Sequence, residues 1–141
     1  MATPDGANTY PEYAAAGLWT TPSDYARFVM ALQNSWNGGP SPLLRQSTAR
    51  AMATPILSGY GLGVLTGKRG GRPAIEHGGS NRGFQCQFFA FLDGSRQGVV
   101  VMTNGDNGGG LALRVVAALA EAYHWGPPDP PPGALPRAPY A

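Results

Sequence analysis

From Gly59 onward the chain stops repeating at helical spacing and begins to alternate, and that change of period decides what it can fold into. Phe84 to Leu92 is the clearest stretch. Phe84, Cys86, Phe88 and Ala90 fall on one face of an extended strand, and Gln85, Gln87, Phe89 and Phe91 on the other. Asp93-Gly94 marks a hairpin, and Gln97 to Thr103 reads as the next strand. Tyr60 to Thr66 and Pro73 to His77 read as two earlier strands, separated by a turn from Lys68 to Arg72. Strands joined by such short turns pair antiparallel.

Helices flank this meander. Thr21-Pro22-Ser23-Asp24 is a helix start, with a Thr N-cap, Pro at the first helical position and an acid in the first turn. Tyr25, Phe28, Val29 and Leu32 then recur at helical spacing and define an apolar stripe, which Asn37-Gly38-Gly39-Pro40 ends. A shorter helix is expected from about Leu43 to Ala53, stopping before Thr54-Pro55. A last helix carries Leu111, Val115, Ala118, Leu119 and Ala122 as its stripe and ends near Tyr123. The expected fold is therefore α+β: an antiparallel sheet of about four strands, with two N-terminal helices and one C-terminal helix packed on it. Residues 1–12 are expected to be a loop and residues 13–125 the folded domain. Residues 126–141 include seven prolines among sixteen positions and are expected to be an extended, flexible tail.

Composition narrows the function classes. Ten basic and eight acidic residues leave a net charge of +2. The basic residues are scattered apart from Lys68, Arg69 and Arg72, so a nucleic-acid partner is not expected. Cys86 is the single cysteine, which rules out an intrachain disulfide, and its place in an aromatic strand predicts a buried structural thiol. Met1-Ala2-Thr3-Pro4-Asp5-Gly6 is polar and shows no signal peptide. The longest apolar run near the C-terminus is broken by Arg114, so no membrane span is expected and the chain reads as soluble, with its cellular location open.

The segment that carries chemistry is His77-Gly78-Gly79-Ser80-Asn81-Arg82-Gly83-Phe84. Glycine has no Cβ, so a ligand or another backbone approaches the chain closely there. A titratable imidazole beside accessible backbone N–H groups is how acyl-transfer sites place a proton carrier next to an oxyanion hole. The plainer reading is a strand ending in a glycine-rich turn with a surface histidine. Val99 to Gly110 leads from a strand through a glycine loop into a helix, a pattern that also binds phosphate. The dinucleotide spacing G-x-G-x-x-G fails there because Leu113 stands at the third glycine, and no G-x-x-x-x-G-K-[ST] occurs. His77 and His124 are the only histidines and lack zinc-site spacing, and no G-x-S-x-G elbow occurs.

Four segments in order carry a resemblance: Ala14 to Phe28 (AAAGLWTTPSDYARF), Gly59-Tyr60-Gly61-Leu62-Gly63, His77 to Phe84, and Val99-Val100-Val101-Met102-Thr103-Asn104-Gly105. Together they resemble the C-terminal portion of the serine β-lactamase-like hydrolases, which include class C β-lactamases, DD-peptidases and related esterases. The resemblance implies a partial β-lactamase-like fold over residues 13–125. It implies that His77 joins the proton network around the nucleophile and that the backbone N–H of Ser80 supplies one oxyanion donor. Gly78 and Gly79 would let substrate lie along the strand edge, with Asn81 and Arg82 beside it. No metal or organic cofactor is implied.

The family's nucleophile motif, Ser-x-x-Lys, is missing after all seven serines, and Tyr-x-Asn is missing after all six tyrosines. In the family both lie upstream of the Ala-Gly-Leu segment, close to where this chain begins. The expectation is a fragment or split half of a hydrolase of esters, amides or lactams that is inactive alone. Its partners would be a small-molecule or peptide acyl substrate and a missing N-terminal half carrying the nucleophile. The alternative is a truncated, non-catalytic binding module that uses the Gly78–Gly83 strand edge. A nucleotide-binding domain built on Gly105 to Gly110 is a third reading.

Overall fold

A computed structural model describes residues 10–41 and 43–128. The expected N-terminal loop is described only from Tyr10, and the expected tail beyond Pro128 lies outside the described residues. A single helical turn, α1 (Tyr13–Ala16), leads to α2 (Pro22–Trp36) and α3 (Gln46–Met52). Four strands follow, β1 (Leu65–Arg69), β2 (Arg72–Asn81), β3 (Phe84–Phe91) and β4 (Gly98–Thr103), and α4 (Gly108–Ala122) closes the fold. The strands pair antiparallel in chain order, so β1 and β4 are the edges of the sheet. The fold class is α+β, as the alternation predicts.

The start of α2 follows the sequence signal. Thr21 Oγ1 accepts from the Asp24 N–H at 3.1 Å, which satisfies one orphan donor of the first turn. Gly38, at φ 75, stands just beyond its end. Val29 and Leu32 of its stripe are buried, while Phe28 turns partly to solvent. Gln33 is buried too, and its Nε2 donates to the carbonyls of Phe91 and Gln97, each at 2.9 Å. That amide pins α2 to the β3–β4 turn, a role that composition does not reveal.

Two cores lie on opposite faces of the sheet. On one, Val29 and Leu32 of α2 and Ala49 of α3 pack with Val64, Ile75, Phe88, Ala90 and Leu92. On the other, Val116 and Ala120 of α4 pack with Ala74, Phe89, Phe91 and Trp125. Successive β3 residues point to alternate faces, so one strand feeds both cores. Each buried Phe of this strand contributes about 1.5–3 kcal/mol.

Several expected boundaries shift. The strand expected at Tyr60 begins only at Leu65, because Gly59 and Gly63 take φ of 83 and 76 and bend the preceding residues into a loop. That loop ties α3 to β1, with the Leu62 N–H donating to the Met52 carbonyl at 2.8 Å. The turn expected over Lys68 to Arg72 contracts to Gly70-Gly71, and β2 runs on past His77 to Asn81. The short helix begins at Gln46 rather than Leu43.

The stripe of α4 is also corrected. The buried residues are Gly108, Ala112, Val116 and Ala120, while Leu111 is 58% exposed. This helix is apolar on nearly every face, so periodicity alone could not orient it; the row of small residues wins because it lets the helix approach the sheet. At Gly108 a Cβ would stand 1.7 Å from Thr103 Oγ1, so the first turn of α4 meets the end of β4 only because glycine is there.

Candidate active site

The site is built on the far end of the β2–β3 hairpin. Arg82 and Gly83 form its two-residue turn, with Gly83 at φ 82. His77 pairs with Phe88, Gly78 with Gln87, Gly79 with Cys86, Ser80 with Gln85 and Asn81 with Phe84. On its other side β2 pairs with β1 only as far as Glu76, opposite Leu65. Residues 77–81 therefore run past the end of β1, and no strand among the described residues pairs with that edge.

The register decides which backbone groups face the open edge. Asn81 and Phe84 close the two-residue turn, so Asn81, Gly79 and His77 exchange their hydrogen bonds with β3. Gly78 and Ser80, the alternate positions, direct their N–H and C=O groups away from β3. Two backbone N–H donors two residues apart thus line an unpaired strand edge.

Side chains divide by face. His77 is exposed and shares the α2 side of the sheet with Phe88 and Cys86, while Tyr25 of α2 meets the Phe88 ring at 5.7 Å. Ser80 lies on the α4 side, where its hydroxyl accepts from Gln85 Nε2 at 2.9 Å. The His77 imidazole and the Ser80 hydroxyl are therefore on opposite faces of one strand, and what Ser80 offers toward the edge is its amide. A shallow cavity of about 300 Å³ borders the strand on the α4 side, lined by Gly78, Ser80, Gln85 and Gln87 of the hairpin and by Gly109 and Leu113 of α4. A larger hollow of about 390 Å³ lies along the loop between α2 and α3, remote from this edge.

The glycines are not equivalent. A Cβ on Gly79 would stand 2.6 Å from Cys86 Sγ, and one on Gly78 would meet the mobile end of Gln87 at 2.8 Å. Cys86 itself is exposed, a correction to the buried thiol expected from its aromatic neighbours. It sits too close to the hairpin tip for the α2 core to cover it. Partial burial still raises the pKa of its thiol, against a backbone hydrogen bond from Gly79 that lowers it, so at neutral pH the thiol is protonated.

The tip is held from three directions. Asn81 Nδ2 donates to the Ala16 carbonyl at 3.0 Å, the Arg82 N–H donates to Tyr10 Oη at 3.1 Å, and the Gly83 N–H donates to Asp106 Oδ1 at 2.5 Å. Trp19 also packs edge-on against Phe84, with centroids 5.2 Å apart. The Ala-Gly-Leu-Trp segment and the Asn104–Asp106 loop, far apart in sequence, thus converge on the hairpin that carries His77. Neither Tyr10 nor Asp106 had a sequence signal of its own; both are found only through the hairpin they hold. Among the described residues no group of three potential metal ligands gathers, and no helix is long and apolar enough to cross a membrane.

A comparison with curated proteins finds no match. A comparison with family models does: the Beta-lactamase model matches residues 2–124, which include both histidines, the whole sheet and all four helices. With that match over most of its length, the chain belongs to the Beta-lactamase family.

Proposed function

We propose that this chain forms one wall of a serine hydrolase active site, supplying the His77-Gly78-Gly79 strand and a backbone oxyanion donor for hydrolysis of an ester, amide or lactam. The observation that carries this reading is the bare edge of β2 beyond Glu76, where the N–H groups of Gly78 and Ser80 point outward beside an exposed imidazole. A carbonyl substrate lying along that edge accepts hydrogen bonds from both. Attack by a serine oxygen drives the carbonyl electron pair onto oxygen, and the Ser80 N–H donates to the oxyanion. Such a donor lowers the barrier by about 3 kcal/mol. The imidazole of His77 relays the proton from the attacking hydroxyl to the leaving group, and water then hydrolyses the acyl-serine.

The nucleophile comes from a second polypeptide segment, because no serine here is followed by lysine three residues on. The outer edge of β4 supports this part of the proposal. It is a six-residue strand, Gly98-Val99-Val100-Val101-Met102-Thr103, without a charged residue or proline to guard it, and among the described residues no strand pairs with it. A missing N-terminal half that adds a strand there completes the sheet.

A second reading uses the same edge for binding alone: an extended peptide adds as a strand beside Gly78 and Ser80, with no chemistry. The purified chain distinguishes little between them, since both expect no hydrolysis of a chromogenic cephalosporin or a p-nitrophenyl ester above buffer. Co-expression with a polypeptide carrying Ser-x-x-Lys and Tyr-x-Asn separates them. Hydrolysis that appears only with both parts supports the split enzyme; a stable complex without turnover returns the strand edge to a binding role. Saturable hydrolysis by the chain alone, abolished by a serine-directed phosphonate, refutes both.

A further inference from the structure

Val99 to Met102 of β4 are half-exposed although α2 and α4 cover the two faces of the sheet there. The exposure comes from the side, where no described strand pairs with this edge. The register fixes which backbone groups are free. The Phe91 N–H donates to the Gln97 carbonyl at 3.0 Å, so Val99, Val101 and Thr103 exchange hydrogen bonds with β3. Gly98, Val100 and Met102 direct their N–H and C=O groups outward.

α4 is unpartnered on the same side. Gly108, Ala112, Val116 and Ala120 face the sheet, and Gly109 and Leu113 border the cavity toward β2. At about 3.6 residues per turn, Leu111, Val115 and Ala118 form the other flank, looking out past β4. Leu111 and Ala118 are exposed there. No charged residue stands on β4 or on this flank, so a second copy meets no like charge along it.

The surface is also complementary to itself. An antiparallel pair of β4 strands with Val100 on the twofold axis places Gly98 against Met102 of the second copy, and Met102 against its Gly98. Every outward backbone group then has a partner. On the α2 side the long Met102 side chain finds a glycine opposite, and on the α4 side Val99 meets Val101 of the second copy. The helices fit as well. α4 packs on both β3 and β4, and strands are about 4.8 Å apart, so the two α4 axes lie roughly 10 Å from each other, the spacing of packed helices. α4 starts beside Thr103, about 10 Å along β4 from Val100, a distance that α4 covers in roughly seven residues. Val115 therefore lies near the axis, and Leu111 meets the small Ala118 of the second copy.

We infer that the chain pairs with a second copy of itself through β4 and the Leu111–Val115–Ala118 flank of α4, joining two four-stranded sheets into one. The face is about 20 Å long and three layers deep, roughly 600 Å² on each copy, which reaches the low end of stable interfaces. The inference does not rest on any catalytic role. It adds a step to one, because a nucleophile-bearing strand that enters at β4 has to displace the second copy.

Light scattering on the purified full chain should give twice the 14.7 kDa of one copy. In hydrogen exchange followed by NMR, the Gly98, Val100 and Met102 amides should exchange as slowly as those of Val99 and Val101, which β3 holds. Leu111→Glu meets only water in a single copy but puts a carboxylate into the seam, so it should give a folded monomer. In that variant the Gly98 and Met102 amides should exchange faster by roughly tenfold or more. Val100→Pro gives the same comparison if Leu111→Glu does not fold, because one copy makes no use of that N–H and edge strands tolerate proline. A wild-type monomer, or a species larger than a dimer, overturns the inference. So does a dimer whose Gly98, Val100 and Met102 amides exchange freely, or one that survives these substitutions, since its contact lies elsewhere.

Discussion

Gly79→Ala is the sharpest test of how the hairpin is built, because the structure predicts that its sign depends on one neighbour. Two terms compete. Glycine within a strand loses more backbone entropy on folding than alanine, so the substitution should gain about 0.5–1 kcal/mol if the methyl had room. It does not have room: the new Cβ stands 2.6 Å from Cys86 Sγ. Ordinary contact between non-bonded heavy atoms is roughly 3.5–4.0 Å, so the overlap is about 1 Å. Cys86 must leave its rotamer or the strands must part, and overpacking of this kind costs about 1–3 kcal/mol. The steric term wins, and Gly79→Ala should destabilise by a net of about 1 kcal/mol.

Cys86→Ala removes the obstructing sulfur while keeping a small side chain on the same exposed face. In that background only the entropy term remains, and Gly79→Ala should stabilise by about 0.5 kcal/mol. The coupling between the two positions is then about 1.5 kcal/mol, well above the few tenths seen for independent sites. Urea unfolding of the wild type, both single variants and the double variant measures it. The same sign in both backgrounds, or a coupling near zero, would show that the paired register of Gly79 with Cys86 does not bring these side chains together.

Two further outcomes follow from the same geometry. Burial pushes the Asp93 carboxyl up, but hydrogen bonds from Arg72 and Ser95 and the Arg72 charge outweigh it and hold the pKa at about 2, below the ordinary 3.8. An acid lowered by that amount corresponds to at most about 2.4 kcal/mol, and solvent at this surface pair reduces it to roughly 1 kcal/mol. The stabilisation is present above the unfolded value and lost as pH falls through 2, so wild type and Asp93→Asn should differ by ~1 kcal/mol at pH 6 and by much less at pH 2. A difference undiminished between pH 6 and pH 2 rules out the ion pair as its source. If the proposed nucleophile-bearing polypeptide is co-expressed and hydrolysis appears, His77→Ala should lower kcat by roughly 10²-fold, while His124→Ala, at the exit of α4, should leave it unchanged. Equal losses at both would return His77 to a structural role.

What the sequence made legible was what depends on local pattern. The alternation of Phe84 to Phe91 found β3 and assigned its faces, because a strand repeats every second residue whatever surrounds it. Thr21-Pro22-Ser23-Asp24 found the start of α2, because its cap is made within four residues. The failures depend on tertiary partners. Leu111 looks like core until Gly108, Ala112, Val116 and Ala120 are seen to let α4 lie closer to the sheet. Gln33 looks like surface until it reaches two carbonyls across 58 and 64 residues. Cys86 looks like core until the hairpin is seen to outrun the helix above it.

The candidate site shows the same division. His77-Gly78-Gly79 is legible as an unusual local composition, and the absence of Cβ atoms permits close approach with or without a fold. Accessibility is another matter, because it is set by the point at which β1 stops. Had β1 begun five residues earlier in register, the N–H groups of Gly78 and Ser80 would have been spent on a ladder, and the same motif would be an ordinary strand. It begins at Leu65 because Gly59 and Gly63 bend the preceding segment into the loop that ties α3 to β1. Glycines fourteen or more residues upstream of His77 thus decide whether the edge beside it is bare. That edge is short, glycine-lined and held at its tip by Tyr10, Ala16 and Asp106, whereas the edge of β4, which no described strand pairs, runs the full strand and is apolar. A short rigid edge suits a small acyl group that must come and go; a long apolar one suits a strand that stays. The two edges, unpaired among the described residues, therefore ask for different occupants, which is consistent with the proposed role as one wall of an active site.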